Sequence, residues 1–228
     1  AKKEAEQILS IDKQNNWALL FLLNIGEKTE DWDYAEEKAR MLQKKSGDSD
    51  LSVLSKYIVN KSIDKIKNSD FEEAESLLNK AINQAPHYGL PYKYLGDIRM
   101  KNRDLVKAIE YWEKFMDLSP KESNLVFDSI ESALFDLGRY SEVENFYRKI
   151  IDLDKGNLEA IIKLANVLEE KGETDSALIL IEDSIKNGNR DIRSDIMKLK
   201  LSLQIATPLD LGHQIDLIIN KLSKNDND

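Results

Sequence analysis

Cysteine is absent from this chain of 228 residues. Disulfides, zinc ribbons and thiol catalysis are therefore excluded within it. Glycine and proline are scarce, 9 and 4 respectively, which suits long helices joined by short turns. No Asn-Gly or Asp-Gly pair sits between alternating apolar runs, so hairpin strands lack their signal. Histidine occurs only as His87 and His213, far apart and each without an i, i+4 ligand partner, so neither a metal site nor a Ser–His–Asp set is expected. No phosphate-cradling glycine run is present. Acidic side chains such as Glu72, Glu73, Glu75, Glu169 and Glu170 fall on solvated helix faces rather than as paired carboxyls across a cleft. The chain is expected to be no enzyme and to hold no cofactor and no metal.

Three further things are missing. No apolar run approaches the ~18–20 residues of a membrane helix, and no signal peptide is recognisable. Nor is there a basic stripe, because the formal net charge is −9. That balance argues against a nucleic-acid partner and against docking on an anionic membrane surface. What remains is 41% apolar and 33% charged residues, the mixture of helices with one buried stripe and one wet face.

The positive signal is periodic. Ala1, Ala35, Ala74, Ala108 and Ala177 follow one another at steps of 34, 39, 34 and, across two repeats, 69 residues. A small side chain recurring at about 34 residues marks a helical-hairpin array. The clearest unit runs from Leu90 to Pro120. Tyr92, Leu95 and Gly96 share one helix face, Asp104 opens a second helix, and that helix carries Ala108, Trp112 and Phe115. Gly96 and Ala108 are small where helices cross closely. Asp31, Asp70 and Asp104 stand at one place in their units, where an acid satisfies orphan N–H groups. Asp70 and Glu73 have capping-box spacing.

This pattern resembles the tetratricopeptide repeat. The resemblance implies an all-α fold, a right-handed superhelical solenoid of helix-turn-helix repeats. Residues 1–228 read as a single array: the second helix of a cut repeat over 1–10, then hairpins at about 16–45, 51–84, 89–117, 123–153, 157–187 and 191–223. The helices are expected at 16–28, 31–45, 51–67, 71–84, 89–102, 105–117, 123–136, 140–153, 157–170, 174–187, 191–205 and 209–223. Because residue 1 falls inside the pattern, the first helix is expected to expose an apolar stripe through Ala5 and Ile8. The chain is then expected to be part of a longer protein.

The segment from Trp17 to Leu42, with its apolar ladder, the Thr29, Asp31, Trp32 turn and Ala35, is similar to the middle of the lipopolysaccharide assembly protein B family. That resemblance implies a cytoplasmic adaptor tethered to the bacterial inner membrane through a segment not present here, regulating lipopolysaccharide assembly. The anchor helix and the rubredoxin-like domain of that family have no counterpart in these residues.

In tetratricopeptide arrays the groove is lined by the first helices. The resemblance places Trp17, Leu20, Asn24, Lys56, Val59, Ile63, Lys93, Asp97, Met100, Lys101, Asp128, Ser132, Phe135, Ile162, Asn166 and Glu169 there, facing a protein or peptide partner. Trp17 is either a partner anchor or packed against the first helix, whereas Trp32 and Trp112 are expected in the core. The lysine/asparagine clamp of chaperone-tail binders is missing, since Lys93 has Asp97 one turn on and Asn166 has Ile162 one turn back. A non-enzymatic scaffold is the first expectation. The alternatives are the substrate-recognition arm of a larger enzyme, such as a protein glycosyltransferase, and a self-associating assembly module. The oligomeric state is not set by these residues.

Overall fold

Small side chains at regular intervals let helices approach until backbones touch, and that is what the computed structural model shows. It describes residues 1–46, 51–205 and 219. The helices among them are α1 (Lys2–Ile11), α2 (Asn16–Lys28), α3 (Trp32–Ser46), α4 (Ser52–Lys67), α5 (Phe71–Gln84), α6 (Leu90–Lys101), α7 (Leu105–Leu118), α8 (Phe127–Asp136), α9 (Tyr140–Leu153), α10 (Leu158–Glu170), α11 (Thr174–Lys186) and α12 (Ile192–Ile205). No strand occurs among the described residues. They fall into two compact units, Ala1–Ala133 and Leu134–Asp228, with the boundary inside α8. The expected helix at 209–223, with Gly212 and His213, lies outside the described residues apart from Ile219, which is helical.

Two features differ from expectation. The helix expected from 123 begins at Phe127, because Pro120–Val126 forms a 3-10 segment instead. Proline at its start fixes the tighter turn. The first helix also differs. Ala5 is fully buried and Ile8 half-buried, packed with Ala18, Leu22 and Tyr34. The expected exposed stripe is thus covered by α2 and α3, while Ala1, in register with the buried alanines, is itself exposed.

Each hairpin turns by the same device. In the first unit Glu30, Ser69 and Arg103 adopt φ of 55°, 62° and 60°; in the second Gly138 and Gly172 adopt 71° and 81°. The next residue sends its N–H back to the carbonyl five positions earlier, as Asp31 to Gly26 (2.9 Å), Asp104 to Arg99 (3.0 Å) and Glu173 to Leu168 (2.8 Å). This left-handed stop satisfies orphan carbonyls at the helix end. In the first unit the following helix is then capped by a side chain, whereas α9 and α11 lack such a cap. Asp31, Asp70 and Asp104 accept from the N–H of Tyr34 (3.1 Å), Glu73 (3.4 Å) and Lys107 (3.4 Å). The capping box is not closed from its other side, since the Glu73 carboxylate takes Lys65 at 2.5 Å.

Ala35, Ala74, Ala108 and Ala177 are all at 0% exposure. A methyl added at Gly26 would lie 3.0–3.1 Å from the backbone and Cβ of Ala35, so α2 and α3 touch main chain to side chain there. One turn along, side-chain size is traded between the two helices. Where α6 has Gly96, α7 has Trp112, and a Cβ on Gly96 would sit 2.4 Å from the indole nitrogen. The matching positions hold Leu23 and Ala39, which share one cluster, then Ser62 with Leu78, and Ala165 with Ile181. In these four hairpins a large side chain stands in register with a small one, as close packing favours; the α8–α9 hairpin departs from this, with Glu131 and Tyr147 at the matching positions.

Neighbouring hairpins are also tied by ions. Arg99 grips Glu75 with two hydrogen bonds of 2.8 and 2.7 Å. Glu36, 9% exposed, accepts from Arg40 (2.6 Å) and from Lys61 of the next hairpin (2.8 Å). Burial works against the Glu36 carboxylate, but these cations outweigh it and hold its pKa below the usual value. A lowered folded pKa means the contribution is complete above the unfolded carboxyl pKa and is lost as pH falls through the folded value. Glu36→Gln is therefore expected to cost about 1.5 kcal/mol near neutrality. Urea titrations at neutral and acid pH check this, because the penalty should vanish at the acid end.

Candidate functional site: the inner helix faces

The first helix of each hairpin buries one face against its partner and leaves the other for contact. On α2 the buried set is Ala18, Leu19, Leu22 and Gly26. The opposite face carries Trp17, 61% exposed, and Leu20, 56% exposed. Trp17 is not covered by α1. It stacks on Phe21 of its own helix, with ring centroids 5.4 Å apart and planes 7° from parallel. Asn24, one turn further, is exposed.

On α4, Lys56 donates to Glu27 of α2 at 2.9 Å, and the hydroxyl of buried Tyr57 donates to the same oxygen at 2.9 Å. The Lys56 hydrogen bond lowers the Glu27 pKa against the opposing effect of burial. Burial and the Glu27 charge push the Tyr57 hydroxyl pKa up. Ile63 is half-buried. Val59 corrects the expected face: at 1% exposure it packs with Ile58, Leu78 and Leu95 in the core. The hydrophobic gain of sealing a branched apolar side chain between hairpins takes it out of a partner's reach.

On α6, Lys93 pairs with Asp97 at 2.7 Å. Asp97 also accepts the Trp112 indole N–H at 3.1 Å, so one carboxylate anchors the core tryptophan and neutralises the surface lysine. Met100 is half-buried, and Lys101 lies over the Phe71 ring at 5.1 Å. On α8, Asp128 and Ser132 are exposed.

The second unit has its own inner face. Phe135 is 39% exposed and rests against Tyr140, centroids 5.4 Å apart. On α10, Ile162, Asn166 and Glu169 are half-buried. Lys200 of α12 reaches Asn166 (3.5 Å) and Glu169 (2.5 Å), and Gln204 also donates to Glu169 (2.7 Å). Ile196 and Leu203 of α12 are 50% and 54% exposed. Neither belongs to the groove set expected from sequence, although they repeat Ile162 and Glu169 one period later. Nor does Phe21, whose signal is the i, i+4 spacing from Trp17.

Of the tryptophans, Trp112 is in the core at 1% exposure. Trp32 is half-buried and donates its indole N–H to Asp64 at 2.7 Å. Among the described residues no cluster of three His, Cys, Asp or Glu side chains could hold a metal. No described helix is long and apolar enough to cross a membrane.

These hairpins, each with a left-handed stop between its helices, have a counterpart in sequence. Residues 134–198 match the tetratricopeptide repeat family. The matched stretch spans the end of α8 to α12, and the same turn and crossing recur in the first unit. Over 108 residues the chain is 29% identical to the BBSome complex member BBS4 of Bos taurus, which covers 47% of this chain and 20% of that protein. The chain thus spans about a fifth of that relative's length.

Solved structures with the same fold include a MamA protein (20% identity, TM-score 0.52, covering 76% of this chain and 94% of that one). Yeast Tom70 aligns at 15% identity and TM-score 0.55, covering 94% of this chain and 46% of that one. Pseudomonas aeruginosa pilF aligns at 12% identity and TM-score 0.53, covering 98% and 92%. The fold is all-α, of tetratricopeptide-type helix-turn-helix repeats.

Proposed function

We propose that this chain is a non-catalytic interaction module that holds a protein or peptide partner on its inner helix faces. The observation that carries the reading is the α2 face. Trp17 and Leu20 are both more than half exposed, one turn apart, on a helix whose other face is sealed. Stacking on Phe21 pre-organises the indole, so little freedom is lost on binding. Rigid aromatic anchors beside aliphatic ones are where binding energy concentrates. Asn24, Lys56 and Lys101 supply a polar rim. The net charge of −9 favours a protein partner over a nucleic acid.

A relative named as a complex member supports a place in a multi-protein assembly. The narrower role, regulating lipopolysaccharide assembly as a cytoplasmic adaptor tethered at the bacterial inner membrane, is supported by the resemblance of Trp17–Leu42 to the lipopolysaccharide assembly protein B family.

Affinity capture with the intact chain identifies the partner, and titration then tests the face. Trp17→Ala with Leu20→Ala is expected to weaken binding by about 30-fold or more, roughly 2 kcal/mol, with thermal unfolding unchanged. Wild-type affinity in that variant would move the partner off α2.

A further inference from the structure

Helix α12 is built the wrong way round. Its buried side chains include Ser194, Asp195 and Ser202 beside only two apolar ones, Met197 and Leu201. Ile196, Leu203 and Ile205 stand about half exposed. The neighbouring α10 buries Ala160, Ile161, Leu164, Ala165 and Leu168, all apolar. On α11 the Ser184 hydroxyl is buried with no hydrogen-bond partner, a group that costs free energy in a packed seam. Among the described residues α12 thus buries fewer apolar side chains than α10 does.

Ion pairs tie it to the hairpin before it. Arg193 reaches Glu159 of α10 at 3.0 Å, Lys198 reaches Glu182 of α11 at 2.7 Å, and Lys200 reaches Glu169 of α10 at 2.5 Å. Gln204 adds Glu169 and Thr174 at 2.7 and 3.1 Å. In these pairs the cation sits on α12 and the anion on α10 or α11. Each pair keeps one partner at least a third exposed, so solvent ions reach it.

We propose that α12 is an electrostatic latch: a helix docked on the α10–α11 hairpin through the Arg193, Lys198 and Lys200 ion pairs, released by ionic strength while that hairpin stays folded. Local opening follows the weakest seam, and screening acts on exposed pairs.

Hydrogen exchange on the intact chain, read by peptide, tests this. Raising sodium chloride from about 0.05 to about 0.5 M should speed exchange in residues 192–205 about fivefold or more, with residues 158–170 unchanged. Glu159→Gln with Glu169→Gln should exchange fast in that segment already at low salt and lose most of the response. Two results would overturn the latch: salt-independent exchange in 192–205, or an equal rise in 158–170. Wild-type behaviour in the double glutamine variant would also overturn it.

Discussion

Trp112→Ala is expected to destabilise the first unit by about 3–5 kcal/mol, and Gly96→Leu alone by about 1–3 kcal/mol. Together the two are expected to cost less than Trp112→Ala by itself. The reason is the size trade at the crossing. The indole occupies the space a side chain at position 96 would fill, with a Cβ there only 2.5 Å from its Cδ1. Removing the indole opens a void, and a leucine at 96 has a place to go. The protein already contains that solution, since Leu23 and Ala39 stand at the matching positions of the first hairpin and share one cluster. Chemical denaturation of the four proteins of the cycle checks the claim, because residues in contact couple and distant ones add. Additive penalties would mean that positions 96 and 112 do not share a space.

Glycine at the three strained turns is expected to stabilise. Glu30, Ser69 and Arg103 hold φ near 60°, a region where a Cβ meets the neighbouring carbonyl. The second unit has Gly138 and Gly172 at the same place. Each substitution to glycine relieves the Cβ strain but adds freedom to the unfolded chain, which offsets part of the gain. The triple variant is expected to gain about 2 kcal/mol, read as a rise in unfolding midpoint without a change in slope. Gly138→Ala and Gly172→Ala should move the other way. A triple variant no more stable than the parent would contradict the turn geometry.

Much of the fold was legible because its strongest constraints are local or strictly periodic. Ala35, Ala74 and Ala108 recur where backbones meet, and Asp31, Asp70 and Asp104 recur where a helix needs an acceptor. The misses have physical causes. Val59 occupies the same register as Leu20 and Lys93, yet it is buried, because burial depends on the neighbouring hairpin rather than on position within the repeat. Ala5 was expected to be bare, but the side chains that cover it come from α2 and α3. The 3-10 start of the fourth complete hairpin was hidden by a helix-compatible composition after Pro120. Ile196 has the apolar spacing of a core position, yet it is half exposed. In α12 the polar residues went inside, a case in which tertiary contacts override pattern.

The central claim is that the inner helix faces take a protein partner. Photo-cross-linking from an unnatural benzophenone amino acid tests it directly. Placed at position 20, on the exposed face of α2, the probe should form a covalent adduct with the partner. Placed at Glu110, exposed on α7, it should form none. Adducts from position 110 with none from position 20 would contradict the account.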